Sequence, residues 1–260
     1  MKRTLAAAAA LLTTFCASSV LADSYAYVGE NNDDIGTLDL NTGAFTKLGN
    51  PGVLLTGMAA QNGTLYGASF DAGNLYTINT ANGALTLVGN SGVPYEVFGS
   101  AAGRMYAVGQ DLNLYSISPI TGAATLIGPT GLGLLGTVGM SDQGPALYYS
   151  EGANLYRVNT TTGAGALVGD MGGPEIGGMV YEGGVLYGGE DEPGVQVDEL
   201  NPLTGAATVG PLADMTGNFW ALGPDPLPNS VPDETSTLGL LAAVGLGCCL
   251  ARRRTVTIGA

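Results

Sequence analysis

Short apolar runs separated by turn residues repeat along most of this chain. A run such as Leu75-Tyr-Thr-Ile78 is followed by a polar turn that ends in glycine, and then by a second short run that also ends in glycine. A period of about 40 residues, held over five copies, indicates a repeat architecture. The turn glycines stand 40, 39, 41 and 42 residues apart, at Gly43, Gly83, Gly122, Gly163 and Gly205.

Each copy contains four such runs, which predict four short strands. In the second copy they fall at residues 55–60, 64–69, 75–79 and 85–88, with turns such as 61–63 between them. Four strands in about 40 residues is the size of one propeller blade, and strands that are apolar on both faces suit blades covered on both sides. The pattern therefore predicts an all-β fold, a five-bladed β-propeller.

The two ends of the repeat region also fit a closed ring. Residues 24–29 correspond to the second strand of the other copies, and the missing first strand recurs at residues 218–223. A last segment that completes the blade begun by the first would lock the ring, whereas a β-helix or an open solenoid has no reason to split a repeat. We therefore expect the propeller to occupy residues 23–226, with five blades rather than four or six.

Residues 227–260 depart from the repeat pattern. The seventeen residues 235–251 carry no charge, and Arg252, Arg253 and Arg254 follow directly. A helix of that length would reach roughly 25 Å at about 1.5 Å per residue, which is at the short end of what spans a bilayer. The positive-inside rule then favours a cytoplasmic C-terminus. A plain membrane anchor and a core helix are the alternatives to a sorting signal.

The motif before the apolar span favours the sorting signal. Val231, Pro232 and Asp233 precede the span, so motif, apolar run and arginine stop occur in order. This layout resembles the PEP-CTERM class of C-terminal signals, most closely the VPDSG variant, although Glu234-Thr235 stands where that variant has small residues. The resemblance implies processing by an exosortase-like enzyme, an inner-membrane intermediate, and then the cell surface or extracellular matrix of a Gram-negative bacterium. It leaves open whether the tail is cut.

Residues 1–22 have the three parts of a signal peptide. Lys2 and Arg3 form a positive start, residues 5–20 form an apolar segment, and Ala22 ends a small-residue cleavage site. We therefore expect export through the secretory translocon and a mature chain that begins at Asp23.

Composition narrows the chemistry of the exported region. The chain has no histidine, and its three cysteines, Cys16, Cys248 and Cys249, all lie in the two terminal segments. This excludes imidazole metal sites, Ser-His-Asp triads, Cys-His dyads and disulfides from residues 23–229. The same region has 20 acidic residues and only three basic ones, so it should repel nucleic acid and anionic membranes.

Acidic residues recur in the loop between the second and third strands of every copy. Oxygen ligands of this kind suit Ca²⁺, although neither of the two richest clusters matches an EF-hand loop. A solvated acidic face is the other interpretation, because loops favour Asp and Asn for turn chemistry. The predicted ligands of a calcium ion are Asp33, Asp34, Glu190, Asp191 and Glu192.

The repeats are even and the chain has one tryptophan, Trp220, which we expect to pack rather than to form a sugar platform. These features predict a non-enzymatic surface or matrix protein whose propeller serves binding or structural assembly, with extracellular polysaccharide or surface proteins as partners. The alternative is a lectin or glycosidase, because the acidic loops could supply the two carboxylates, about 5–10 Å apart, that glycoside hydrolysis needs.

Overall fold

The computed structural model describes residues 24–70, 72–133, 138–141, 144–173, 175–191 and 196–226. These residues form five antiparallel sheets of four strands each. Blade 1 runs from the centre outward through β20 (Phe219–Pro224), β1 (Tyr25–Glu30), β2 (Ile35–Asp39) and β3 (Phe45–Gly49). Blade 2 contains β4 (Leu55–Gln61), β5 (Thr64–Ser69), β6 (Asn74–Ile78) and β7 (Leu85–Asn90).

The remaining blades follow the same meander, each beginning with its innermost strand. Blade 3 contains β8 (Tyr95–Ala101), β9 (Arg104–Gly109), β10 (Asn113–Ile117) and β11 (Ala124–Pro129). Blade 4 contains β12 (Val138–Met140), β13 (Leu147–Glu151), β14 (Asn154–Val158) and β15 (Gly165–Asp170). Blade 5 contains β16 (Ile176–Glu182), β17 (Val185–Glu190), β18 (Val197–Leu200) and β19 (Ala207–Thr208).

The predicted five-bladed propeller is confirmed, including the way in which it closes. The last strand, β20, pairs antiparallel with the first, β1, with Val28 opposite Leu222. The inner strands β20, β4, β8, β12 and β16 each contact the next, and β16 contacts β20 again. The ring is therefore complete, and blade 1 is shared between the two ends of the described chain.

A side-chain-capped turn explains the repeated phrase between the third and fourth strands. In blade 4, Asn159 Oδ1 accepts the N–H groups of Thr161 at 2.8 Å and Thr162 at 3.1 Å. The Gly163 N–H donates to the Asn159 carbonyl at 2.8 Å, and Gly163 has a φ of +89°. Asn supplies the capping oxygen here, as Asp39 does in blade 1 and Ser118 in blade 3, and Gly supplies the left-handed backbone. Each copy therefore begins this turn with a short polar residue and ends it with glycine.

The turn glycine also touches the neighbouring blade. In blade 3, a Cβ atom on Gly122 would lie 2.9 Å from the carbonyl carbon of Gly89, which is near the end of the outermost strand of blade 2. Blades approach so closely here that neither glycine can carry a side chain. Between the blades the packing is apolar, since each core cluster combines residues of two neighbours, as Val97 and Tyr106 do with Leu147 and Tyr149.

The two terminal signals lie outside the described residues and stay predictions. They comprise the signal peptide 1–22, the cleavage residues Ala22 and Asp23, and the sorting segment 227–260 with Val231, Pro232, Asp233, Arg252, Arg253 and Arg254. Within the part of the chain that the structure describes, no helix is both long and apolar enough to cross a membrane.

Candidate functional site at the mouth of the central channel

Four of the five inner strands carry a β-bulge at the same place, next to the loop between the second and third strands. The pairing register skips one residue in each of β4, β8, β16 and β20. A bulge leaves the extra residue out of the ladder and re-aims its side chain. The extra residues are Thr56, Glu96, Gly177 and Trp220. Together with Phe70 they form what we call the channel mouth.

Trp220 and Phe70 form an aromatic pair within the mouth. Their ring centroids lie 6.2 Å apart with perpendicular planes, and both side chains are partly exposed. Phe70 also forms a backbone bridge with Tyr95, the residue before Glu96. The Thr56 hydroxyl donates to the Glu96 carbonyl. Residues of blades 1, 2 and 3 are thereby held together around one end of the ring.

Two carboxylates act on the buried Tyr149 of blade 4. Tyr149 is fully buried, and its hydroxyl donates to the Gly133 carbonyl at 2.9 Å. Burial, and then the Glu151 and Glu96 carboxylates, raise the pKa of Tyr149 well above its ordinary value. Glu96 of the inner strand β8 and Glu151 at the end of β13 therefore act on the same hydroxyl across the boundary of blades 3 and 4.

The three basic residues of residues 23–229 lie elsewhere. Lys47 is on β3, the outermost strand of blade 1, where its Nζ lies 2.6 Å from Asp34 Oδ2. Arg104 is the first residue of β9, at the opposite end of that strand from the mouth. Arg157 is on β14 and lines a cleft of about 500 Å³ that also includes Ala101, the last residue of β8. Positive charge in the described region is therefore placed away from the mouth.

Glu30, Glu151 and Glu190 occupy equivalent positions, the last residue of the second strand in blades 1, 4 and 5. Glu30 is only 1% exposed, and its Oε1 accepts the N–H groups of Thr216 at 3.1 Å and Gly217 at 2.8 Å. Its Oε2 is buried and has no hydrogen-bond partner among the described residues. Glu30 therefore anchors the segment that leads into the closing strand β20.

Glu190 has a different environment. Burial, and then the charge of Asp198, raise the pKa of Glu190. Burial likewise raises the pKa of Asp198, which is 1% exposed and accepts the Gly210 N–H at 3.2 Å. Two carboxyl groups thus share one poorly solvated region of blade 5.

The predicted calcium ligands differ in their surroundings. Asp34 is bound by Lys47, whose hydrogen bond lowers the pKa of that carboxyl, and by the Asn50 amide at 2.6 Å. Asp33 has a φ of +68° in the same loop. Glu192 lies outside the described residues. Within the described ranges, no three Asp, Glu, Cys or His side chains are grouped closely enough to hold a metal ion.

The loops of blades 1 and 5 nevertheless meet, as the ring order predicted. The Asn218 backbone N–H donates to Asn31 Oδ1 at 3.2 Å, and its side-chain amide donates to the Asp191 carbonyl at 2.8 Å. Asn218 therefore joins the two acidic loops through neutral hydrogen bonds. The calcium prediction is neither confirmed nor excluded by this contact.

Sequence reasoning missed most of the channel mouth. Glu96 could have been noticed in the sequence, because it is an acid inside the otherwise apolar strand Tyr95-Glu-Val-Phe98. Phe70 also departs from the polar or small residues that follow this strand in other copies. The contact of Trp220 with Phe70 agrees in part with the predicted packing role of the tryptophan, although the ring is not fully buried.

Comparisons with known proteins support the fold class alone. No protein-family model matches the sequence, and no curated protein matches it. Among solved structures, a chain of a nidogen/laminin complex superposes with a TM-score of 0.50 at 9% identity, covering 78% of this chain and 98% of its own length. The molecule is thus a β-propeller related in shape, not detectably in sequence, to that chain.

Two solved bacterial structures also match this chain. A structural genomics protein of unknown function from Bacteroides thetaiotaomicron gives a TM-score of 0.54 at 17% identity, with 78% of this chain covered and 65% of that one. The calcium-binding protein regucalcin from Agrobacterium tumefaciens gives 0.46 at 18% identity, with 74% and 71% covered. At these similarities neither comparison bears on what this chain binds.

Proposed function

We propose that this protein is exported and displays a ligand-binding propeller at the cell surface or in the extracellular matrix, without catalysing a reaction. The observation that carries the binding role is the partial exposure of Trp220 at the channel mouth. Its chain neighbour Phe219 is 0% exposed and Phe98 is 1% exposed, as expected of aromatic residues that only pack. A large aromatic ring kept partly open beside Phe70 is typical of a ligand site.

The non-enzymatic part of the proposal is supported by composition. Histidine is absent from the chain, and residues 23–229 contain no cysteine, so the common nucleophile–base pairs cannot be assembled. The proposed partners are extracellular polysaccharide or surface proteins, with the secretory translocon and an exosortase-like enzyme acting before them. A nucleic-acid partner is disfavoured by the strongly acidic exported region.

A glycan-binding or glycan-cleaving propeller is the second candidate. It is favoured by Trp220, which could stack on a sugar ring, and by the two carboxylates of Glu96 and Glu151 near Tyr149. Glycosidases use such a pair, one as acid and the other as base or nucleophile. The first candidate is preferred because the mouth shows no further aromatic platform among the described residues.

A glycan array combined with a glycosidase screen on residues 23–229, which include all twenty strands, separates the two candidates. Binding without hydrolysis that is lost in Trp220→Ala supports the binding role. Hydrolysis that is lost in Glu96→Gln would establish the enzyme instead. Leu87→Ala is the matched control, because Leu87 is 58% exposed on the outermost strand of blade 2, away from the mouth.

Export and sorting are tested on the native protein. We expect mass spectrometry of surface-localised molecules to find a mature N-terminus at Asp23 and no peptide beyond about residues 232–236. Recovery of Arg252, Arg253 and Arg254 on most surface molecules would reduce the tail to a simple membrane anchor.

We also propose a calcium site where the loops of blades 1 and 5 meet. It is supported by the buried Glu30 Oε2, which has no hydrogen-bond partner within the described part of the chain, and by the contacts of Asn218 with Asn31 and Asp191. A cation bound only by the folded state stabilises it by mass action. Millimolar Ca²⁺ should therefore raise the melting temperature after chelation by more than NaCl of equal ionic strength does.

Replacing the predicted ligands by amides is the control for calcium binding. The joint variant Asp33→Asn, Asp34→Asn, Asp191→Asn and Glu192→Gln should remove the difference between Ca²⁺ and NaCl. If Ca²⁺ and NaCl change the melting temperature of the unmodified protein equally, the calcium proposal fails. The acidic loops would then be a solvated acidic face.

A further inference from the structure

We infer that Asn62 is a site of spontaneous deamidation in the folded protein. The chain contains two Asn-Gly steps, both in blade 2: Asn62-Gly63 in its first turn and Asn82-Gly83 in its last. The contrast between these two steps carries the inference. It is independent of the proposed binding role, because Asn62 follows the end of β4 that is opposite the channel mouth.

The reaction needs only the chain and water. The Gly63 nitrogen attacks Cγ of Asn62 and forms a cyclic succinimide, while the Cγ–Nδ2 bond breaks and Nδ2 leaves as ammonia with the proton of the Gly63 N–H. Water then breaks the bond from this nitrogen to Cγ, which gives aspartate, or to the Asn62 backbone carbonyl carbon, which gives isoaspartate. Glycine favours the attack, because it has no side chain to hinder the approach of its nitrogen.

The first Asn-Gly step is open to this reaction. Asn62 and Gly63 are both exposed, in a turn between the paired residues Gln61 and Thr64. Their φ angles are +51° and +76°, as in a type I′ hairpin turn. Within the described ranges, neither the Asn62 side-chain amide nor the Gly63 N–H forms a hydrogen bond. The two reacting groups can therefore approach each other without first breaking a contact.

The second Asn-Gly step is held closed. Gly83 is buried, and its N–H donates to the Asn79 carbonyl at 2.8 Å. Asn82 Oδ1 accepts the Ala84 N–H at 3.0 Å. A Cβ atom on Gly83 would lie 3.3 Å from the Gly49 nitrogen of blade 1, so the turn is also packed against its neighbour. Succinimide formation here requires a local opening of the structure first.

Deamidation would change both the charge and the length of the first turn. Aspartate adds a negative charge next to Gln61, whose Nε2 donates to the Gly103 carbonyl at 2.7 Å and joins the first turns of blades 2 and 3. Isoaspartate adds a methylene group to the backbone of a tight turn and disturbs the pairing of β4 with β5. Because β4 is an inner strand, we expect isoaspartate to lower the melting temperature.

Both steps can be measured in one molecule. Residues 23–229 are stored in mildly alkaline buffer, and peptide mass spectrometry follows the conversion of each asparagine to acid. Asn62 should convert at least about tenfold faster than Asn82, because the hydrogen bond and contacts of Gly83 must open first. In concentrated urea the two rates should converge, since neither turn is then formed.

Asn62→Gly is the matched control. Glycine adopts the same positive φ without strain, so the turn is kept while the reactive amide is removed. The rate of conversion at Asn82 should be unchanged in this variant. Its melting temperature should stay constant on storage, whereas that of the unmodified protein should fall.

Three results would overturn the inference. Equal rates at Asn62 and Asn82 in the folded protein would mean that the fold does not select between them. A difference that persists in urea would assign the selectivity to neighbouring residues in the sequence. Conversion of Asn62 in urea but not in the folded protein would mean that the turn holds its side-chain amide away from the Gly63 nitrogen.

Discussion

At the scale of single residues, equivalent acids have unequal surroundings. Glu30 and Glu190 end the same strand of blades 1 and 5, yet Glu30 receives two backbone N–H groups while Glu190 lies near a second carboxyl group, Asp198. The first arrangement stabilises a buried charge, and the second penalises it. We therefore expect the charges of Glu30 and Glu190 to have opposite effects on stability, although the two residues occupy equivalent positions in the repeat.

Replacing Glu30 by alanine should destabilise the propeller. Two charge-assisted hydrogen bonds to Thr216 and Gly217 are lost, each contributing about 1.5–3 kcal/mol. Urea unfolding should show a loss of about 3–6 kcal/mol. Asp214→Ala, an exposed acid in the same connection, should change the free energy of unfolding by less than about 0.5 kcal/mol. Similar small losses in both variants would contradict an anchoring role for Glu30.

Asp198→Asn should stabilise the protein at neutral pH. The folded-state pKa of Asp198 is raised by burial, so the folded state prefers the protonated carboxyl and loses stability as pH rises through that pKa. Asparagine keeps the acceptor for Gly210 without the charge. The gain in melting temperature should be largest near pH 7 and should vanish below the unfolded pKa of about 4. A gain independent of pH would rule out titration of this carboxyl as its cause.

At the scale of elements, the turn between the third and fourth strands shows why glycine recurs at one place. Gly122 combines a φ of +70° with contact to Gly89 of the previous blade. Gly92 has a similar φ of +74°, but a Cβ atom there would meet nothing within 4 Å. A comparison of the two glycines therefore distinguishes the cost of a left-handed backbone from the cost of a contact between blades.

Alanine substitutions at these positions should differ in cost. Gly92→Ala should destabilise by about 1–2 kcal/mol, since only the left-handed backbone is penalised. Gly122→Ala should cost at least about 1 kcal/mol more, because the added methyl group collides with the Gly89 carbonyl. Chemical unfolding measures both values. Equal costs would show that blades 2 and 3 can separate here without penalty.

At the scale of the whole molecule, the ring is locked by one strand. β20 pairs with β1 on one side and packs against β4 and β16 as the innermost element of blade 1. Phe219 and Leu222 are 0% and 1% exposed. Closure therefore joins the first and last strands of the described chain, and residues 23–229 contain no cysteine that could support it with a disulfide.

Deleting residues 218–223 should abolish folding. Burial of Phe219 and of Leu222 contributes about 1.5–3 kcal/mol each, against a typical total stability of about 5–15 kcal/mol. The pairing with β1 is lost in addition. We expect the deleted protein to be insoluble or unfolded by circular dichroism at ordinary temperature. A control truncated after residue 226 keeps every strand and should melt cooperatively; if the deletion variant melts at the same temperature, closure by β20 does not stabilise the ring.

The sequence by itself determined the class of fold, the number of blades and the element that closes the ring. These features follow from local rules repeated many times: short apolar runs, a capped turn that ends in glycine, and a constant spacing of about 40 residues. An irregular copy is outweighed by the other four, so the architecture can be derived from the repeat alone. The composition likewise excludes histidine- and cysteine-based chemistry from residues 23–229, because the residues that such chemistry needs are absent there.

Only the tertiary structure decided which side chains meet. Trp220 and Phe70 belong to neighbouring blades, and they meet where a bulge in β20, which the repeat pattern does not predict, takes Trp220 out of the strand pairing. Asp34 illustrates the same limit, because the pattern grouped it with acids whereas strand pairing places Lys47 against it. Sites depend on register and ring packing between distant segments, and a one-dimensional pattern records neither.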